Sequence, residues 1–369
     1  MQKNSKIYIA GHTGLVGSAI TKTLEGKGYT NLLTRDISEM DLTNQAEVKA
    51  FFEKERPEYV ILAAAKVGGV IANNTYRGEF IYLNLMIQNN VIHHAYENGV
   101  KKLLFLGSTC IYPREAPQPM KEESLLTGPL EYTNEPYAIA KIGGMKLCES
   151  YNIQYGTNFI AVMPTNLYGP NDNFDLEKSH VLPAILRKIH LGKCLESSDW
   201  ESIRKDLKAH PIETATHESS KEEILNILSK QGVTIQNGKV SIEIWGTGKP
   251  MREFMYSEDM AAACVFMMEH VDIPKINSFT KEPIDPKDPR KIHFVNIGTG
   301  QEISIKALAN KIKTALNYKG DIHFNTEKPD GTMRKLTNVE LLNGLGFKHS
   351  VELDQGIGLM YSAYLDKQE

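Results

Sequence analysis

The sequence is poor in cysteine, and its four thiols, Cys110, Cys148, Cys194 and Cys264, stand far apart with no paired spacing. That argues against a disulfide framework and against a zinc site, so no metal is expected. No apolar run approaches the ~20 residues that a membrane-spanning helix needs. A strong charge of one sign is missing too. The formal net charge is −3, which argues against nucleic acid as a partner while leaving room for a local basic pocket. Met1 to Lys6 lead straight into an apolar strand, leaving no room for a secretory leader. These absences predict a soluble chain in the reducing cytoplasm, with no membrane contact. At 369 residues the chain is long enough for a large core and for two lobes of one enzyme.

What is present begins as a nucleotide binder should. Lys6–Ala10 is a short apolar strand, followed by Gly11-His12-Thr13-Gly14-Leu15-Val16-Gly17 and a helical pattern from Leu15 to about Gly26. The glycines serve a tight turn, close approach of backbone to pyrophosphate, and close packing of helix on strand. The helix N-terminus then offers unpaired N–H groups to phosphate. A second strand near Asn31–Leu33 ends at Thr34-Arg35-Asp36, where an adenosine ribose would lie. Arginine there favours a 2′-phosphate, hence NADP(H), although Asp36 can pair with Arg35 or face solvent. Asp41 and Leu42 can line the adenine pocket, and Asp41 is equally suited to cap the next helix.

Strands at Tyr59–Leu62, Leu103–Leu106 and Phe159–Met163 alternate with helical segments. That alternation predicts an α/β fold, a Rossmann-type doubly wound parallel sheet, with a smaller C-terminal α/β lobe for substrate. The expected division is a cofactor domain over residues 1–164 and a substrate lobe over 165–369. Segments near 240–268 and 290–298 are expected to return to the first domain. Small residues at strand ends, Ala64 among them, let a cofactor lie flat, and Pro164, Asn166 and Leu167 stand where its nicotinamide end would be.

The stretch Leu106–Lys141 carries the chemistry. Its strand ends in Gly107-Ser108-Thr109-Cys110, and a later helix begins with Tyr137-Ala138-Ile139-Ala140-Lys141. Tyr137 and Lys141 share one helix face. An ammonium beside a phenol is expected to lower the phenol's pKa, and Ser108 can hold a carbonyl against it. Together they describe a proton donor for carbonyl reduction. His180 opens another helix, whose dipole disfavours its protonated form and leaves it able to act as a base. Trp245 offers a flat face, and Arg252 a fork suited to phosphate oxygens. Asp330 can reach a nucleotide or can serve an ordinary turn.

These stretches together resemble the extended short-chain dehydrogenase/reductase family, and within it the GDP-4-keto-6-deoxymannose 3,5-epimerase-4-reductases. The likeness runs through residues 11–17, 63–75, 106–113, 134–141, 163–170, 179–181 and 251–254. It implies conversion of GDP-4-keto-6-deoxy-D-mannose to GDP-L-fucose by C3/C5 epimerisation and C4 reduction with NADPH. By resemblance Cys110 acts as base and His180 as acid, Tyr137 protonates the C4 oxygen, Lys141 tunes it, and Ser108 positions the carbonyl. Leu106, Gly107, Tyr137, Lys141 and His180 are expected to touch the cofactor. Ser108, Asn166, Arg187, Trp245, Arg252 and Asp330 are expected to hold the GDP-sugar, and a homodimer is usual for the family.

The chain departs from the family pattern between Lys193 and Val240, where it is longer. Trp200, Ile203 and Leu207 recur at helical spacing, and Ser219-Ser220-Lys221-Glu222 reads as a capping-box start for a helix with Ile224, Leu225 and Leu228. This insert, at about 194–239, is expected to form a helical hairpin that serves as a lid, a dimer contact or an inert excursion. A C4 reductase, with or without epimerase activity, on a related sugar such as a heptose is therefore the alternative. A GDP-sugar 4,6-dehydratase would carry an acid pair where Cys110-Ile111 stand. A nucleotide-sensing protein on a dead scaffold need not keep Ser108, Tyr137 and Lys141 together.

Overall fold

The structure, a computed structural model, describes residues 1–236, 238–279 and 294–368. The chain divides into two compact units. The first comprises residues 1–167, 253–300 and 336–350, and the second residues 168–252, 301–335 and 351–369.

In the first unit the strands β1 (Ile7–Ala10), β2 (Leu32–Leu33), β3 (Tyr59–Leu62), β4 (Lys102–Leu106) and β5 (Phe159–Pro164) lie parallel with a last strand, Phe294–Ile297. Their spatial order is Phe294–Ile297, β5, β4, β3, β1, β2. The strands are apolar but for Lys102 and Asn296, because both faces of the sheet are covered. Ile7, Ile9, Ile61, Leu104, Leu106, Ile160 and Val162 join one core cluster with helices α1 (Leu15–Gly26) and Ser257–His270. The alternate residues, among them Tyr8, Ala10, Val60, Leu62, Leu103 and Phe105, join the other. That second cluster is closed by α2 (Gln45–Glu55), α4 (Arg77–Glu97) and α5 (Glu135–Tyr155), with the short α3 (Val70–Thr75) preceding α4. The strand order reverses between β1 and β3, and a crevice for ligand opens beyond the carboxyl ends of strands at such a point.

Two boundaries differ from the expectation. Residues 240–252 belong to the second unit, because strand Lys239–Trp245 pairs with Val233–Gln236 and Asp321–Asn325. Residues 336–350 return to the first unit, where Met120 donates its N–H to the Leu336 carbonyl and Asn338 its N–H to that of Met120. Of the segment expected at 290–298, residues 290–293 lie outside the described residues.

The second unit is built on α6 (Val181–Glu196), which packs against strand Lys239–Trp245 and helix Ile305–Ala315. Its insert forms α7 (Trp200–Ala209) and α8 (Lys221–Lys230), capped by Asp199 and by Ser220. The capping box is Ser220 with Glu223, one residue later than the expected pair. The hairpin reading needs correction as well. Helix α7 packs on α6, α8 packs on strand Val233–Gln236, and Ile203, Leu207, Ile224 and Leu228 are buried. Among the described residues no helix is long and apolar enough to cross a membrane.

Candidate active site

In the turn after β1, Gly11 and Gly17 leave no room for a side chain. Gly11 holds φ +85, and a Cβ there would meet the Ala64 backbone at 2.7 Å. A Cβ on Gly17 would lie 1.9 Å from the Gly11 carbonyl oxygen, which is why the helix can press so close to the strand. Gly14 donates its N–H to that same oxygen at 3.2 Å and stands at the start of α1. Helix α1 has no acidic residue in its first turn and no side-chain cap, so Leu15, Val16 and their neighbours leave N–H groups free for phosphate. Thr13 is exposed, and His12 keeps Nδ1 buried without a partner among the described residues. This cradle fits a dinucleotide.

At the ribose end, Arg35 directs Nη1 to the Thr34 carbonyl (2.7 Å) and Nη2 to Glu55 (3.0 Å). Asp36 turns away to accept from Ser38 N (3.0 Å) and Oγ (3.1 Å), and these bonds hold its carboxyl below its ordinary pKa. Asp41 does not cap α2. It closes its own turn on Thr43 N at 2.8 Å, and Asn44 is the cap. The Leu42 carbonyl accepts from Asn90 at 2.9 Å.

Beyond β4, Gly107 donates its N–H to Val162 at 2.8 Å, and a Cβ on it would strike Met163 Sδ at 2.3 Å. The chain then turns through Thr109–Ile111 with Ser108 as cap, its Oγ accepting from Cys110 N at 3.2 Å. This turn packs on α5. Cys110 is buried and stands close enough to Tyr137 and Lys141 to act on both electrostatically. Lys141 donates to the Leu106 carbonyl at 2.7 Å, with its ammonium 5.7 Å from the Tyr137 ring centroid. Ser108, Cys110, Tyr137 and Lys141 are thus brought to one place. The expected lowering of the Tyr137 pKa is corrected: burial, with Cys110 adding to it, pushes the phenol above its ordinary value. Burial likewise pushes Lys141 down to about 8. Low polarity disfavours both ions, and here it outweighs their mutual attraction.

Pro164 closes β5. Asn166 donates its side-chain N–H to the Glu253 main-chain oxygen at 2.8 Å, and Leu167 packs against the first core cluster. Glu253 was not foreseen as a functional residue. Its buried carboxylate accepts from Thr299 N (2.6 Å), Gly300 N (2.8 Å) and Thr337 N (2.8 Å). The one signal was a pair of charges, Arg252 and Glu253, set between the apolar Met251 and Phe254.

In the second unit, His180 stands at the N-terminus of α6, and desolvation lowers its pKa. Trp245 is 52% exposed, with the Lys328 ammonium 5.2 Å from its ring centroid. Arg252 directs Nη1 to the carbonyls of Met251 (2.8 Å) and Thr332 (2.5 Å). Two expected ligands are otherwise engaged. Asp330 accepts from Thr247 N (2.8 Å) and Oγ (2.7 Å), closing the glycine turn after Trp245. Arg187 is wholly buried in an ion pair with Asp206 at 2.8 Å and presents nothing to a ligand.

Among the described residues no cluster of His, Cys, Asp and Glu is fit to hold a metal, and none of the four cysteines is in a disulfide. The fold and site define a nucleotide-dependent enzyme that acts on a carbonyl. The chain belongs to the NAD dependent epimerase/dehydratase family, whose model matches residues 7–208 and 215–278. It is 46% identical to GDP-L-fucose synthase 1 of Arabidopsis thaliana over 363 residues, covering 98% of this chain and 94% of that protein. Among solved structures it is 44% identical to a GDP-6-OMe-4-keto-L-xylo-heptose reductase from C. jejuni, with a TM-score of 0.88 and coverage of 99% and 98%. The GDP-mannoheptose C4 reductase MlghC from Campylobacter jejuni, solved with NADP bound, is also 44% identical, with a TM-score of 0.84 and 99% coverage of each chain.

Proposed function

We propose that this protein converts GDP-4-keto-6-deoxy-D-mannose to GDP-L-fucose, epimerising C3 and C5 and then reducing the C4 ketone with NADPH. The observation that carries the reading is the placement of Cys110 against Tyr137 and Lys141 at the end of β4. The residues after β1 would hold the pyrophosphate, Arg35 the 2′-phosphate, and Lys141 and Tyr137 the nicotinamide ribose. When bound, NADPH supplies hydride to C4. Tyr137, kept protonated by its surroundings, gives its proton to the C4 oxygen, while Ser108 Oγ holds that oxygen in line.

The C4 ketone acidifies the C–H bonds at C3 and C5, so one base and one acid can serve both centres. Cys110 takes the proton from one face, and His180, by family resemblance, returns one from the other. A hydrogen bond from Ser108 to the ketone oxygen acidifies the C3 and C5 protons that Cys110 removes, so Ser108 serves epimerisation as well as reduction. Trp245 and Arg252 would hold the nucleotide, the ring by stacking and the guanidinium by charge. The enzyme works in the cytoplasm as a homodimer, and the exposed Tyr82 on α4 with Ile139 and Ile153 on α5 support a helical contact between copies.

A second reading, C4 reduction of a GDP-4-keto heptose, is favoured by the likeness to the two heptose reductases. Turnover in D₂O with NADPH and either sugar, followed by NMR of the product, separates the two. Deuterium at C3 and C5 of GDP-L-fucose supports the main reading. Reduction without deuterium overturns the epimerase part, and preference for the seven-carbon sugar moves the assignment to the heptose.

A further inference from the structure

Lys141 is 3% exposed, and burial is what chiefly disfavours its charge. Consecutive residues of β4 meet its ammonium. The Leu106 carbonyl accepts one of its N–H groups at 2.7 Å, and the buried ring of Phe105 has its centroid 4.8 Å from Nζ. The face of a ring carries partial negative charge, and it attracts a cation most strongly where water is excluded. The ring is itself held in place. A Cβ on Gly144, which lies on α5 like the lysine, would stand 2.6 Å from Phe105 Cζ. The absent side chain makes room for the ring against the helix that carries Lys141.

Few titratable groups face this ammonium. On α5, the Tyr137 ring centroid lies 5.7 Å from Nζ, and burial keeps that phenol protonated. Cys110, on the turn after β4, acts on the lysine electrostatically. Helix α4 presents uncharged groups, Phe80 against the Tyr137 ring and Gln88 to the Ala140 carbonyl. Among the described residues no carboxylate offsets the burial of Lys141. A buried cation without an acidic partner depends on the neutral groups that face it.

We propose that Phe105 is a positioning residue for Lys141, its ring face and the Leu106 carbonyl together keeping the ammonium charged and fixed beside Tyr137. The remaining N–H groups of the ammonium are then left for the nicotinamide ribose, which rests on the reading of function given above. Phe105 touches neither substrate nor reacting atoms. It decides over what range of pH the lysine beside the proton donor carries its charge. Burial sets Lys141 at about 8, so a modest loss of attraction is enough to neutralise it under working conditions.

The test labels the lysines of the full chain with carbon-13 at Cε and assigns Lys141 from the spectrum of Lys141→Met. Its titration is followed by NMR, beside the pH profile of kcat/KM for NADPH oxidation. Phe105→Leu removes the ring, and pentafluorophenylalanine placed at position 105 keeps the ring's shape while inverting its charge distribution. Phe159→Leu, which removes another buried ring from the same core cluster, is the control. In both position-105 variants Lys141 should lose its proton about one pH unit earlier. The alkaline limb of the activity profile should move with it. Phe159→Leu should lower Tm and leave both curves in place. A Lys141 titration that stays or rises in the position-105 variants would overturn the proposal, and so would an equal movement in Phe159→Leu. A moved titration with an unmoved activity limb would overturn the part of Phe105 in the reaction. If Phe105→Leu does not fold, the fluorinated chain decides. A wild-type chain that oxidises no NADPH would sink the functional reading, and the NMR titration would still test the ring against the lysine.

Discussion

The side-chain amide of Asn166 donates to the main-chain oxygen of Glu253 at 2.8 Å. The same residue's carboxylate gathers the N–H groups of Thr299, Gly300 and Thr337. One residue therefore ties the loop after β5 to two segments far away in sequence. Glu253→Ala would take the acceptor from the N–H groups of Thr299, Gly300 and Thr337, of which that of Thr337 is buried and costs about 1–3 kcal/mol when left unmet. The expected result is a loss of about 1–3 kcal/mol, read from the urea midpoint, while the Asn166 bond to the main-chain oxygen of residue 253 is kept. An unchanged midpoint would refute the clamp.

Tyr137 and Cys110 adjoin but are asked to do different work. Tyr137→Phe keeps the ring and its edge-on contact with Phe80 at 6.3 Å, and removes only the proton donor. NADPH oxidation should fall by roughly 10²–10⁴, while deuterium exchange persists at a measurable rate. Cys110→Ser should reverse the pattern, with exchange lost and reduction of a pre-epimerised ketone largely kept. Parallel losses of both activities in both variants would contradict the division of roles.

The sheet was legible because most of its strands are continuous apolar runs, such as Tyr59–Leu62 and Phe159–Pro164, which mark themselves regardless of what lies far away. Tyr137 with Lys141 was legible for a similar reason, since helical spacing alone puts them on one face. What sequence could not convey is who answers a charge. Arg187 meets Asp206 at a separation of 19, and Asp330 closes the Thr247 turn at a separation of 83. Neither pairing has any periodic signature. The Tyr137 pKa went the other way for a related reason: a nearby ammonium can be counted from spacing, but the depth of burial that outweighs it cannot.

Two glycines of the first turn should fail differently. At Gly14 a Cβ meets only the Gly11 oxygen, at an ordinary 3.6 Å, whereas at Gly17 it would stand 1.9 Å from that oxygen. Gly14→Ala should therefore keep the wild-type Tm and weaken NADPH binding about tenfold, because the methyl projects where backbone must approach phosphate. Gly17→Ala should lower Tm outright, since helix and strand must separate. Fluorescence titration of NADPH beside a thermal melt checks both, and equal melts for the two variants would refute the packing argument.

Glu122 gives the first unit a pH dependence of defined sign. Its carboxyl is buried, accepts from Asn296 N at 3.0 Å, and is pushed by burial from 4.5 up to about 7. A folded pKa above the unfolded one means that the folded state holds the proton more tightly. Between about pH 4.5 and pH 7 the folded chain binds more protons, so this group's contribution is complete below that window and is lost as pH rises through it. The loss is about 3 kcal/mol by pH 8. Glu122→Gln keeps an oxygen for Asn296 and removes the titration. Its urea midpoint, compared with the wild type's at pH 5, 6, 7 and 8, should draw progressively ahead as pH rises. Asp172, also raised to about 7 by burial, stays in both chains and cancels in the difference. A constant gap across that range would mean that Glu122 is not the group that titrates.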